Sequence, residues 1–553
     1  MQKRKLHIFA CVLALLTLFI SFTQFSSPSK EEMGQTEKDI SSDRAIEHLK
    51  EIAKEPHPIG SPANKRVRDY IEKYFQNLNI PVEIQLKSVT DIEGGKYALE
   101  IGAENVENII AKIQGTSGDD NAILLTAHYD STLETPGAAD DGYGVVTIME
   151  TARALKQMPA PKNTIYFVLT DGEEQGLLGA NALKDRKDIL DQVRVMINLE
   201  ARGNTGVPML FQTSPNDLKL VQLYNEVAPY PIAYSFATEI YKKMPNDTDF
   251  TELKETKKIG YNFANIGGVE TYHEKTDRVE SSDEETIRHF GDFVLPLVKK
   301  YMMMDTKEFE VLEESQGDAI YFPLMKKLLI VYSDKVVIPL LIVLLVLTVM
   351  TMLLSFKKKV LQMKGFILSL VAMIGSLVPI YIFYFLFVRM LTKVFHVKTD
   401  EDGLVMLSKY NPLILTLIFL LTTVFSAIFI KWISKKFGII NFVMSTQVLW
   451  IVLAVITSLI FKGISYAFTI PVIISLLLIL PIILKVNWIK FFYHYVIIIG
   501  WIVPSILLLA PIIYMSYMAK TASIAPIIAI ATAVISYPTI AIVNWLMADD
   551  SEV

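Results

Sequence analysis

A single cysteine, Cys11, in 553 residues excludes an intrachain disulfide and leaves any metal site to His, Asp and Glu. It lies inside the first apolar segment and reads as an ordinary membrane-helix residue, since Ile8, Phe9 and Ala10 before it fit a lipoprotein cleavage signal poorly. Basic blocks are also missing beyond short Lys clusters. With a formal net charge of -5, this argues against nucleic acid as a partner. Apolar residues are abundant instead, at 52% with a mean hydropathy of +0.36. They are unevenly spread. Residues 43–306 have the composition of a soluble protein, whereas most long apolar runs lie beyond 336, so a globular part and a lipid-soluble part are expected.

Lys3, Arg4 and Lys5 precede an apolar run over 6–25, long enough to cross a hydrocarbon core, for which about 20 residues suffice. No clean small-x-small site closes the run, so a retained anchor is expected rather than a cleaved signal. Seven further runs follow at 336–356, 365–390, 412–430, 441–461, 464–484, 491–518 and 521–545. With the N-terminus inside, one set of connections carries Lys357, Lys358, Lys359 and Lys364, then Lys431, Lys435 and Lys436, then Lys485 and Lys490. These basic connections belong on the cytoplasmic side. The alternate connections are acidic at Thr399, Asp400, Glu401 and Asp402 or minimal at Lys462 and Gly463, as expected opposite. The parity survives if the last pair closes a re-entrant hairpin.

This parse gives a cytoplasmic tip and anchor over 1–30, an external domain over 31–305 and a connector over 306–335. An all-α multispan transmembrane bundle over 336–546 and a cytoplasmic tail over 547–553 complete it. Both termini are then cytoplasmic. Arg389, His396 and His494 lie near predicted span ends and read as interfacial anchoring rather than as a transport path.

Between 41 and 300, helical periodicity alternates with short apolar runs, the pattern of an α/β domain with a mostly parallel central sheet. Helices are expected over 43–49, 64–78 and 145–158. A strand over 121–127 runs into His128, Tyr129 and Asp130, and a Gly-rich turn from Pro136 to Gly144 holds Asp140 and Asp141. A strand over 164–170 is followed by Asp171, Gly172, Glu173 and Glu174, and one over 193–199 by Glu200. Ligands of doubly wound sheets gather beyond the carboxyl ends of the strands, where His128, Glu174 and Glu200 stand. Singly, each is ordinary turn or surface chemistry. Their coincidence at equivalent ends points to a metal or catalytic site. His273, within Tyr272-His273-Glu274-Lys275-Thr276-Asp277, is weak alone.

The ordered set His-x-Asp, Gly-Ala-x-Asp-Asp-Gly, Glu-Glu-x-Gly-Leu-x-Gly, Asn-Leu-Glu and Tyr-His-x-x-x-Asp resembles the co-catalytic dizinc aminopeptidases over about 43–298. Relatives of that family include aminopeptidase Y, glutamate carboxypeptidase, glutaminyl cyclase and the transferrin receptor ectodomain. Asn198-Leu199-Glu200-Ala201, Phe211-Gln212-Thr213-Ser214, Asn246-Asp247-Thr248-Asp249-Phe250 and the multispan tail are similar to its membrane branch of endoplasmic reticulum metallopeptidases and vacuolar membrane proteases. The resemblance implies two zinc ions per chain bridged by Asp140, with His128 and Glu200 on one and Glu174 and His273 on the other. It further implies that Asp130 orients His128, and that Glu173 is the general base acting on a metal-bridged hydroxide. Many soluble relatives have Asp at the position of Glu200, while the membrane branch shares the Glu.

The expected activity is therefore metal-assisted peptide-bond hydrolysis, with aminopeptidase action on peptide or protein N-termini and a lipid bilayer as the other partner. Glutaminyl cyclase-type acyl transfer and a non-catalytic receptor or transport accessory are the alternatives. The expected membrane is a prokaryotic plasma membrane, with endoplasmic reticulum or vacuole as alternatives. Arg202 reads either as a contact to substrate or as a structural salt bridge, and Asp277 either as orienting His273 or as capping a turn.

Overall fold

The computed structural model describes residues 2–29, 39–89, 103–242, 247–398, 404, 405, 407–484 and 492–548. The loop residues Thr399, Asp400, Glu401, Asp402, Lys485 and Lys490, and Asn246 of the Asn-Asp-Thr-Asp-Phe motif, lie outside these. Two compact units are present, one formed by residues 24–333 and the other by 1–23 together with 334–553.

The first unit is built on a seven-stranded sheet. In chain order its strands are β1 (Val82–Val89), β2 (Ala103–Ile113), β3 (Ala122–His128), β4 (Thr164–Thr170), β5 (Val193–Ala201), β6 (Met209–Thr213) and β7 (Ile259–Asn265). Their spatial order is β1-β2-β4-β3-β5-β7-β6. The four central strands β4, β3, β5 and β7 are mutually parallel, whereas β1, β2 and β6 join antiparallel at the flanks. This is the mixed sheet, parallel at its centre, that the alternating pattern predicts. The continuous apolar runs of β3 and β4 reflect burial on both faces. Ile123, Leu125 and Ala127 face one core with Val195, Ile197 and Leu199, while Ala122 and Leu124 face a second with Val193 and Met196.

Local signals set the helices of the larger core. Ser41 caps Ser42–Ile52 by accepting from the Arg44 amide, and Ser61 caps Pro62–Asn77 with proline at the first helical position. The Asp141 side chain caps Gly142–Lys156 by accepting from Gly144. The amphipathic helix Glu284–Tyr301 buries Ile287, Phe290, Phe293, Val294 and Leu297 on the same face of the sheet. Residues 306–333 fold into this unit as well. They form a helix, Thr306–Glu313, and an antiparallel hairpin of β8 (Ala319–Met325) and β9 (Leu328–Ser333).

The second unit is helical. Among the described residues, seven helical stretches are long and apolar enough to cross a membrane: 4–23, 334–357, 363–394, 408–437, 439–460, 466–483 and 492–545. The last comprises two α-helices, Phe492–Lys520 and Ala525–Trp545, joined by a 3-10 turn. The helices Ile439–Ile460 and Tyr466–Ile483 flank the short turn at Lys462 and Gly463. Two buried side chains in the bundle interior bond across helices. Trp450 Nε1 donates to the Val534 carbonyl at 2.8 Å, and Tyr384 donates to the Ile418 carbonyl at 3.0 Å.

One buried charge in the first unit makes a stability test. Glu150 is fully buried in the middle of Gly142–Lys156 and accepts from Arg44 Nη2 at 2.8 Å, Arg153 Nε at 2.9 Å and the Ser41 amide at 3.1 Å. It joins this helix to the start of Ser42–Ile52. Removing one partner of such a cluster leaves uncompensated charge, so Glu150→Ala should destabilise the unit by about 3 kcal/mol. The expected readout is an unfolding midpoint lowered by several degrees in calorimetry of the detergent-solubilised chain, with a Glu150→Gln variant falling between.

Candidate metal centre

The parallel strands deliver the candidate site. His128 is the last residue of β3, Glu173 and Glu174 follow the end of β4, Glu200 is the penultimate residue of β5, and His273 follows β7. All stand at carboxyl ends of the parallel strands, where backbone amides and loop side chains converge. Gly172 opens the turn after β4 with φ of +74°, and a Cβ there would meet Ile59 Cδ1 at 2.6 Å.

Asp140 sits in the middle. Its Oδ1 lies 3.3 Å from His128 Nε2 and its Oδ2 3.3 Å from His273 Nε2, while Glu174 Oε2 is 3.1 Å from the same His273 nitrogen. Glu200 Oε2 is 3.9 Å from His128 Nε2. Donors bound to one zinc in a tetrahedron, each about 2.0–2.2 Å from the ion, are separated by about 3.3–3.6 Å. The Asp140 contacts fall in that range on both sides. The structure thus brings together His128, Asp140, Glu174, Glu200 and His273. One group of potential donor atoms comprises His128, Asp140 and Glu174 and another His128, Asp141 and Glu200, with the atoms of each within 4.8 Å of one another. Asp141, adjacent to Asp140 across a cis peptide bond, is the addition to the residues singled out from sequence. Its only hint there is the Asp-Asp pair itself.

Surrounding residues fix these side chains. His128 Nδ1 is 3.0 Å from the Asp130 carbonyl and 3.5 Å from its carboxylate, so the other ring nitrogen faces the site. The Asp130 carboxylate accepts from the amides of Glu173 and Glu174 at 3.0 and 3.3 Å, holding the turn that presents both glutamates. Asp277 accepts from the amides of Ala139 and Asp140 at 2.8 and 3.1 Å, which makes it a clamp on the Asp140 turn. Glu200 Oε1 accepts from Asn198 at 3.0 Å. Asn198 in turn donates to Asn262 on β7, which donates to Gln212 on β6. This buried amide ladder was not legible as functional in the sequence, because its members come from three strands. Arg202 forms no salt bridge among the described residues. Its guanidinium lies 5.4 Å from the Tyr272 ring, which stacks on His273 at 3.8 Å.

The electrostatics suit a cation. Burial opposes ionisation of Asp140, but the two imidazoles outweigh it and lower its pKa to about 2. Burial also opposes protonation of His273, yet Asp140 and Glu174 raise its pKa to about 10. Burial and neighbouring carboxylates push Glu173, Glu200 and Asp141 well above the usual carboxylate range. The Asp141 Oδ2 atom is buried with no hydrogen-bond partner among the described residues. Crowded carboxyls, an orphaned carboxylate oxygen and two imidazoles turned inward form an N/O donor set that fits zinc. His128 is nearly inaccessible whereas the His273 side chain is 40% exposed, so solvent reaches the site from the His273 side. His273 also holds a left-handed backbone, φ 58°, a strained conformation of the kind that clusters at functional sites.

An α/β domain with a candidate metal centre at the ends of its parallel strands is what these features define. Residues 108–298 match the model of peptidase family M28. The chain is 27% identical over 307 residues to endoplasmic reticulum metallopeptidase 1 of Mus musculus, covering 53% of this chain and 34% of the relative. It is 28% identical over 320 residues to the vacuolar membrane protease of Candida albicans strain WO-1, covering 56% and 36%. The matches therefore span about a third of the length of these curated relatives. Among solved structures, a zinc aminopeptidase from Bacillus subtilis aligns with a TM-score of 0.38 at 17% identity, covering 49% of this chain and 97% of that one.

The Asp277 clamp yields a prediction for metal retention. Residues that orient ligands from behind typically change affinity 10–100-fold when removed, so Asp277→Ala should weaken zinc binding by about that factor. Competition against a chromophoric chelator measures it, and an affinity equal to wild type would exclude the clamp from metal binding.

Proposed function

We propose that the chain is a membrane-bound zinc metallopeptidase that hydrolyses peptide bonds, acting as an aminopeptidase with two zinc ions per chain. The observation that carries this reading is the Asp140 carboxylate, one oxygen directed to His128 and the other to His273. In this assignment His128, Asp140 and Glu200 hold one ion and Asp140, Glu174 and His273 the other. Zinc held there supplies Lewis acidity, polarising a scissile carbonyl and lowering the pKa of water at the site.

Glu173 is the proton carrier. Its backbone amide is anchored on Asp130, in the turn that also presents Glu174, which positions a carboxylate that must accept and then return a proton. It removes a proton from the attacking water as the oxygen bonds to the carbonyl carbon. It then delivers that proton to the departing nitrogen as the C–N bond breaks, giving a free carboxylate and an amine. Asp130 keeps Glu173 in place through the amide and keeps the His128 ring turned toward Asp140. The motif order shared with the dizinc aminopeptidases supports action at peptide N-termini.

The membrane part of the reading rests on the long apolar helices and on the Lys-rich connections at 357–364 and 431–436. It places the catalytic domain, over 31–305, outside the cytoplasm of a prokaryotic cell and both termini inside. The helical bundle spans 336–546 in this reading.

Glu173→Gln should retain zinc and the fold and lower hydrolysis of peptide substrates by about 10²–10⁴-fold. Release of N-terminal residues from a peptide library, run beside a cyclisation assay on N-terminal glutamine peptides, tests both halves of the assignment. A near-wild-type rate would remove Glu173 from the mechanism, and cyclisation without release would replace hydrolysis with acyl transfer. Full activity with one tightly bound zinc per chain, by metal analysis, would sink the two-ion claim.

A further inference from the structure

The helix Met363–Val394 is longer than a bilayer core requires. Between Lys364 and Arg389 lie 24 residues without a charged side chain. At about 1.5 Å per residue they extend about 36 Å, slightly more than the roughly 30 Å of hydrocarbon. Arg389 and the turn after it therefore sit at headgroup depth. There the helix carries Arg389 and Lys393 at i and i+4 on one face, and His396 follows just past its C-terminus; all three are exposed. Among the described residues no carboxylate lies within ion-pair distance of any of them. These three line a groove of about 340 Å³ with Thr392 and Val397.

A cation in the last helical turn complements the helix dipole, which accounts for Lys393 alone. It does not account for Arg389, a turn earlier, or for the groove. The Arg389 guanidinium lies 5.2 Å from the centre of the Phe385 ring. Toward the membrane core from it, Tyr381, Ile382, Phe385 and Leu386 are exposed as an apolar track on the same helix. Lys409, over the ring of Tyr410 at 5.1 Å, brings another cation to this end, since Tyr410 packs on Phe395 at 4.6 Å. A cationic recess at headgroup depth that continues into an exposed apolar track has the two-part chemistry of a phospholipid.

We propose that the groove at Arg389, Lys393 and His396 is a binding site for the headgroup of an anionic phospholipid. The phosphate lies between Arg389 and Lys393 and the acyl chains lie along Tyr381 to Leu386. The guanidinium offers a fork of donors to the phosphodiester, and Lys393 adds a point charge.

The test uses the full chain, purified in detergent and reconstituted in vesicles of equal phosphatidylglycerol and phosphatidylcholine, followed by native mass spectrometry of retained lipid. Wild type should retain phosphatidylglycerol in preference to phosphatidylcholine. Each cation at an anionic surface contributes about a fivefold factor, so Arg389→Gln with Lys393→Gln should reduce the preference by about 25-fold. Lys435→Gln with Lys436→Gln, which removes the same charge from another exposed helix end, should leave it unchanged. No preference in wild type, an unchanged preference in the first variant, or an equal loss in the second would overturn the proposal. Displacement of the lipid by inorganic phosphate alone would reassign the groove to a free anion.

Discussion

Two imidazoles share one carboxylate, and most of the first unit can be understood as the structure needed to hold that arrangement. Asp140 is buried, flanked by other acids, and kept ionised because His128 and His273 approach its two oxygens from opposite sides. Carboxyls packed this closely repel one another, and without a compensating cation several would take up protons. The fold accepts that cost. The parallel sheet brings the strand ends to one level, Asp130 and Asp277 tie down the turns that follow, and the Asn198–Asn262–Gln212 ladder fixes the far oxygen of Glu200. Together these contacts hold the turns and side chains from which the donor atoms face inward.

The elements that do this differ in burial. His128 and Glu200 are borne by strands buried on both faces, whereas His273 comes from a loop beyond β7, exposed to solvent and with a left-handed backbone. One side of the centre is thus set by the sheet and the other by a loop. Solvent reaches the site past the loop side, so the same residue that completes the donor set also borders the opening.

Much of this was legible in the sequence, for identifiable reasons. Strands β3, β4 and β5 are central and parallel, so they read as unbroken apolar runs with polar residues at their ends, and their boundaries fall within two residues of the expected ones. The spacing of His128, Asp140, Glu173, Glu174 and Glu200 follows directly from those ends. The flanking strands β1, β2 and β6 were harder to read, because polar residues such as Glu83, Gln85, Asn108 and Gln212 interrupt their apolar runs. The amide ladder and the orphaned Asp141 oxygen depend on contacts between distant segments, which no local pattern encodes. Asp277 shows the difference well. Sequence leaves its role open between His273 and a turn, and the structure shows it gripping a turn far upstream.

That grip joins positions 137 and 138 residues apart in the chain. During synthesis the turn bearing Asp140 leaves the ribosome long before residues 273 and 277 exist. Until they arrive, the turn lacks both its clamp and one of its two imidazoles. The centre therefore becomes complete only when nearly the whole domain has been made, and a nascent or prematurely terminated chain lacks the assembled donor set.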